Sequence, residues 1–82
     1  MNTQDTNCTI VPYFQIQDGQ IDRVKTICAK MVEQTKSEPL CRYYSFFFEG
    51  NTMFCREGYD NAEGVLAHIE NIGPLLGQAM EL

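Results

Sequence analysis

The chain has 82 residues, which bounds it to one small domain. A domain of this size buries only about 60–65% of the surface its unfolded chain exposes, so pairing with a second copy is a natural source of stability. Eleven acidic against six basic residues leave a net charge of −5. The basic residues stand singly, which argues against a nucleic-acid partner and against a polybasic membrane contact.

No apolar run is long enough to span a bilayer. The polar opening MNTQDTN has neither the basic nor the apolar part of a secretory signal, so a cytoplasmic location is expected. Cys8, Cys28, Cys41 and Cys55 contain no CxxC pair, and only one histidine accompanies them. No metal site is therefore expected. Without a secretory signal the cysteines read as small buried hydrophobes rather than disulfides, with thiol redox chemistry at Cys41 or Cys55 as a minor alternative.

Residues 1–7 read as a flexible lead, and 8–82 as a single domain. Residues 8–17, CTIVPYFQIQ, read as a strand with Ile10, Phe14 and Ile16 on its oily face. Pro12 lacks an N–H, which predicts an edge position or a bulge. Asp18-Gly19 is a turn signal. From residue 20 the period changes: Ile21, Val24, Ile27, Cys28, Met31, Val32 and Thr35 recur at three and four residues, which predicts a helix of about five turns. Ser37-Glu38-Pro39 ends it.

Arg42 to Glu49, RYYSFFFE, is an aromatic strand. Gly50-Asn51 is a two-residue hairpin turn of the Gly-first kind, and Thr52 to Tyr59 is the returning strand. A two-residue turn sets the register. Glu49 faces Thr52, Phe48 faces Met53, Phe46 faces Cys55, Tyr44 faces Glu57 and Arg42 faces Tyr59. Tyr43, Ser45, Phe47, Phe54, Arg56 and Gly58 fall on the other face. Both faces are largely apolar, so both require cover, and the second cover is expected from another chain. Asp60 or Asn61 caps a second helix, with Glu63 placed for a capping box. Its apolar face is read as Val65, Leu66 and Ile69, with His68 at the edge. Asn71-Ile72-Gly73-Pro74 is read as a break, after which Leu75 to Leu82 form a further short helix.

The order β-α-β-β-α is that of a ferredoxin-like α+β fold, β-α-β-β-α-β, without its final strand, as in a C-terminally truncated chain or in a short form that leaves a sheet edge open. At Glu38-Pro39, Tyr44, Glu57-Gly58-Tyr59-Asp60 and Ala67-His68 the chain resembles the antibiotic biosynthesis monooxygenase-like family. The resemblance runs from about residue 13 to 68. It implies a ferredoxin-like domain with an antiparallel sheet that pairs with a second copy into a dimeric α+β barrel. It further implies a cofactor-free oxygenase of small aromatic or partly apolar molecules; other branches of the family degrade haem. The chain has no Trp, no Asn on the first strand, and Asn71 near where a second histidine is common.

These readings leave six candidate site residues. Glu57, if it faces the interior with Tyr44 and Tyr59, is placed to act as a general base; the alternative is a structural carboxylate bonded to Tyr44 across the strands or to Arg42 diagonally. His68 is a candidate acid, base or ligand group, or a packed histidine. Tyr44 and Tyr59 would position a ligand. Arg56, expected to be buried mid-strand, would pair with Glu49 or an anionic ligand, and Tyr13 would line the same ligand region. The alternative function is a non-catalytic dimerising or ligand-sensing module built on the same residues.

Overall fold

The computed structural model describes residues 6–82. The lead expected over residues 1–7 thus lies, for 1–5, outside the described residues. Thr6 Oγ1 donates to the Asp60 carbonyl at 3.0 Å, and Asn7 Oδ1 accepts from Arg42 at 3.1 Å. The elements are β1 (Cys8–Ile10), β2 (Tyr13–Gln15), α1 (Ile21–Thr35), β3 (Cys41–Glu49), β4 (Thr52–Tyr59) and α2 (Ala62–Met80). The fold is α+β, ferredoxin-like in topology. One antiparallel sheet has β4 at its centre, with β1 and β2 along one side of it and β3 along the other. No further strand occurs among the described residues, so the outer edge of β1 and β2 is unpaired.

The strand expected over residues 8–17 is present, interrupted at Val11-Pro12. β1 and β2 keep one register against β4: Ile10 opposes Glu57 and Tyr13 opposes Phe54. There is therefore no bulge. The Pro12 carbonyl accepts from Cys55 N at 3.1 Å, so the donor that Pro12 lacks would also have faced β4. The ladder loses one bond to β4, while the outward N–H groups of Val11 and Tyr13 stay intact on the open edge.

Gly50 has φ +58°, the left-handed conformation a Gly-first hairpin turn requires. The register it sets is as read from sequence from Glu49–Thr52 up to Tyr44–Glu57. Beyond that, the expected Arg42–Tyr59 pair is corrected: a register shift lets Cys41 oppose Tyr59 and Tyr43 oppose Gly58, leaving Arg42 as the extra residue. Tyr43 lies directly over Gly58, where any side chain would meet its ring.

The core sits between the sheet and the two helices. Val24, Cys28 and Met31 from α1 meet Ile16, Met53 and Ile72. Met31 is wholly buried, and a side chain of this size contributes about 1.5–3 kcal/mol by leaving water.

α2 differs from the reading in two ways. It is continuous through Pro74 rather than broken. α1 holds it there: Gln34 donates to the Asn71 carbonyl at 2.7 Å, and Asn71 Nδ2 donates back to the Gln34 carbonyl at 3.1 Å. Its buried stripe is Gly64, His68 and Ile72, whereas Leu66 and Ile69 are mostly exposed. Gly64 decides this face. A Cβ there would stand 2.9 Å from Leu40 Cβ and 3.2 Å from Tyr59 Cβ, so only glycine lets the helix lie this close to the sheet. Asn61 is the cap, accepting from Gly64 N at 3.0 Å.

Candidate functional site

β4 points alternate side chains into the interior, and Cys55, Glu57 and Tyr59 are all buried on that face. Tyr59 donates its hydroxyl to Glu57 Oε1 at 2.6 Å. Tyr44 arrives opposite Glu57 from β3. The close approach at Gly64 then lays His68, one turn further along α2, across both. His68 Nε2 is 3.6 Å from Glu57 Oε1, too long for a hydrogen bond. The imidazole packs edge-on to the Tyr44 ring at 4.5 Å between centroids and against Tyr59 at 5.3 Å.

The other ring nitrogen has a firm partner that the sequence reading missed. His68 Nδ1 lies 3.0 and 3.1 Å from the two oxygens of Glu38. Glu38 sits in the turn between α1 and β3, its own N–H bonded to the Thr35 carbonyl at 2.9 Å. Asn71 Nδ2 donates to Glu38 Oε2 at 2.8 Å, which fixes the carboxylate. A carboxylate only accepts, so Glu38 holds a proton on Nδ1 and Nε2 is the ring nitrogen turned toward Glu57. The His68 and Glu57 side chains retain 3% and 12% exposure.

Burial pushes the Tyr44 hydroxyl well above the ordinary phenol range, with the nearby Cys55 and Glu57 adding to it. Burial does the same for Tyr59, reinforced by its hydrogen bond to Glu57. Both are therefore hydrogen-bond donors at neutral pH rather than bases. Cys28 is pushed up to about 11 by burial, and Cys55 is raised by burial and then by Glu57. Such thiols are little ionised at neutral pH and make poor nucleophiles. Among the described residues no group of three or more His, Cys, Asp or Glu side chains is placed to hold a metal ion.

Tyr44, Glu57 and His68 open onto a cavity of about 200 Å³ between the sheet and α2. The rest of its wall is apolar: Ile10, Pro12 and Phe14 from the sheet side, Val65, Ile69, Ile72 and Leu76 from α2. Glu38 lies on the far side of His68 and lines a second, more open cleft of about 260 Å³ with Lys36 and Arg42. His68 thus stands between an apolar cavity and a more open cleft, with a carboxylate on each side.

The structure brings together four of the six expected residues: Glu57, His68 and Tyr44 at the cavity, and Tyr59 behind Glu57. Arg56 and Tyr13 lie on the opposite face of the sheet. Tyr13 is 69% exposed and stacks on Phe54 at 5.4 Å, which stacks on Phe47 at 5.0 Å. Arg56 is exposed rather than buried, with its guanidinium 5.5 Å from the Tyr43 ring. Both therefore stand on the sheet face opposite the helices, and not at the cavity.

No protein-family model and no curated protein sequence matches the chain. Its solved structural neighbours define the class: the chain has the antibiotic biosynthesis monooxygenase-like fold, as the resemblance read from its sequence implies. Among particular proteins it is similar to MupZ from Pseudomonas fluorescens, with 40% identity and a TM-score of 0.88 over 94% of this chain. It spans 64% of the length of MupZ. Candidate antibiotic biosynthesis monooxygenases from Chloroflexus aurantiacus and Nitrosomonas europaea share the fold at TM-scores of 0.79 and 0.76, each with 16% identity. Their alignments cover 94% and 85% of this chain, and 81% and 70% of theirs.

Proposed function

We propose that the chain binds a small, partly apolar molecule between the sheet and α2 and removes a proton from it without a cofactor. The observation that carries this reading is the placement of His68: a carboxylate orients Nδ1, and Nε2 faces an apolar cavity beside Glu57. In this mechanism His68 Nε2 takes the proton, Glu38 stabilises the resulting imidazolium from Nδ1, and the Glu57 carboxylate, 3.6 Å from Nε2, adds to that stabilisation. Tyr44 orients the bound molecule, and Tyr59 fixes Glu57. Glu38 also lines the outer cleft, which gives the proton a way to solvent. When the bound molecule is a phenol or an enol, its anion is electron-rich enough to react directly with dioxygen. That is the cofactor-free oxidation the fold resemblance implies.

The test is hydrogen–deuterium exchange at the carbon next to the carbonyl of a small methyl ketone, followed by NMR in deuterated water. Glu57→Gln and His68→Ala should each slow exchange by about a hundredfold or more. Exchange at the wild-type rate in both variants would overturn the proposal. A second reading, the non-catalytic ligand-sensing or dimerising module, is favoured by one observation. Among the described residues every buried polar side-chain atom already has a partner. On that reading the two substitutions lower stability and the wild type itself shows no exchange above background.

The same proposal includes a homodimer. Val11, Tyr13, Tyr43 and Phe47 leave a broad apolar surface on the sheet face opposite the helices, each between 39% and 69% exposed. A second copy covers it in the paired barrel that the resemblance implies. Sedimentation of the wild type as a dimer and of Phe47→Asp as a monomer would support this; a wild-type monomer at micromolar concentration would contradict it.

A further inference from the structure

We infer that the cavity at His68 continues into a groove that takes a straight aliphatic chain, its neutral carbonyl or hydroxyl head at His68 and its tail laid between β2 and α2 toward Leu82. The inference rests on the proposed reading of the His68 end and specifies the class of molecule.

A second chamber of about 170 Å³ lies beyond the first, and Phe14 and Leu76 line both. The chambers adjoin at these two side chains, which form the neck of the inferred groove. The second chamber is closed by Ile16 on the sheet side and by Ala79, Met80 and Leu82 at the end of α2. Phe14 in β2 and Ile16, one residue past its end, both turn inward, and Ile72, Leu76 and Met80 recur every four residues along α2. The walls are thus a strand and a helix running side by side. From Ile10 to Ile16 the strand covers roughly 20 Å, and from Val65 to Ala79 the helix covers roughly 21 Å. A trough of this length, with aliphatic and phenyl walls, matches an extended hydrocarbon better than a compact ring system.

The ionisable side chains stand at one end: Tyr44, Glu57 and His68 line the first chamber, whereas the second has Gln15 and otherwise apolar residues. The chemistry proposed at His68 places the head group there. Its charge follows from the neighbours. Two carboxylates flank the imidazole, and the whole chain carries a net −5, so a carboxylate head is repelled where a ketone or alcohol accepts or donates a hydrogen bond.

The experiment is calorimetric titration of the full chain with a homologous series of straight-chain methyl ketones. Each added methylene buried in the groove should tighten binding about fourfold until the tail reaches the Leu82 end, after which affinity levels off. Leu76→Trp narrows the neck and should stop the gain at a shorter chain. Ala79→Phe fills the far chamber without touching the neck, and should remove only the gain from the longest members; it serves equally if Leu76→Trp fails to fold. Fatty acids of matched length should bind more weakly than the ketones.

Affinity independent of chain length, or a length limit unchanged in a folded Leu76→Trp or Ala79→Phe variant, would overturn the groove. Short ketones that still bind and still exchange deuterium would then leave the chemistry proposed at His68 standing. Absence of binding by every member of the series would overturn the groove as well. Loss of exchange alone, with the length dependence intact, would instead remove the catalytic reading and keep the groove.

Discussion

Raising the pH should unfold this protein over a narrow interval, because four buried acids keep their protons only while the chain is folded. Cys28, Cys55, Tyr44 and Tyr59 all have pKa values raised by burial in the folded state, from ordinary values of 9.0 for the thiols and 10.0 for the phenols. Between its unfolded and its folded pKa, each group is ionised in the unfolded chain and protonated in the folded one. The unfolded state then binds fewer protons, so stability falls as pH rises. Each such group contributes a slope of about 1.4 kcal/mol per pH unit.

The two thiols act from about pH 9, with Cys28 ceasing to contribute near 11. The two phenols join from about pH 10. Above that point the combined slope reaches about 5 kcal/mol per pH unit. A domain of 82 residues has about 4–12 kcal/mol to lose, so unfolding should be complete within one to three pH units above 10. The assay is far-ultraviolet circular dichroism recorded beside tyrosinate absorbance in the presence of a reductant. Tyr44 and Tyr59 should enter the tyrosinate signal only as the dichroism is lost. Complete ionisation of all four tyrosines with an unchanged dichroism spectrum would refute the reasoning.

Pro74 costs α2 one backbone hydrogen bond, so Pro74→Ala should stabilise the protein by about 1–3 kcal/mol, read as a higher melting temperature; a lower one would contradict this. Gly64→Ala places a methyl 2.9 Å from Leu40 Cβ and should destabilise by about 1–3 kcal/mol, more than alanine's gain in helix propensity. An unchanged melting temperature in chemical denaturation and heating would show that α2 does not depend on that contact. Cys28 and Cys55 should resist a thiol reagent in the native state at pH 8 and react at once in denaturant; equal rates in both conditions would contradict their burial.

The hairpin carried most of what could be read in advance. A Gly-first two-residue turn allows one register, and that register alone placed Tyr44 against Glu57. Arg42 escaped because a bulge leaves no mark in a pattern of alternation. Glu38 escaped for a different reason. As a residue before proline it explains where α1 ends, and nothing local shows that it also reaches a histidine 30 positions further on. Asn71 and Pro74 were read as a break because local propensity sees only the lost hydrogen bond. The Gln34–Asn71 bonds that hold α2 in place come from another helix. The helix face was misjudged by the same logic. Leu66 and Ile69 are the more hydrophobic residues, but steric room at Gly64 decided which stripe went inward. Arg56 and Tyr13 were assigned by chemical type, and strand alternation sends both to the other side of the sheet.

The position of the lone histidine has a practical consequence. His68 is the chain's single imidazole, and it lies within 4.5 and 5.3 Å of two phenol rings. Ring currents from Tyr44 and Tyr59 displace its carbon-bound protons from the ordinary histidine region of a proton spectrum, where no second imidazole can overlap them. The molecule thus carries its own spectroscopic gauge at the mouth of the cavity. A ligand that shifts either ring registers on one resolved pair of lines, without label or substitution.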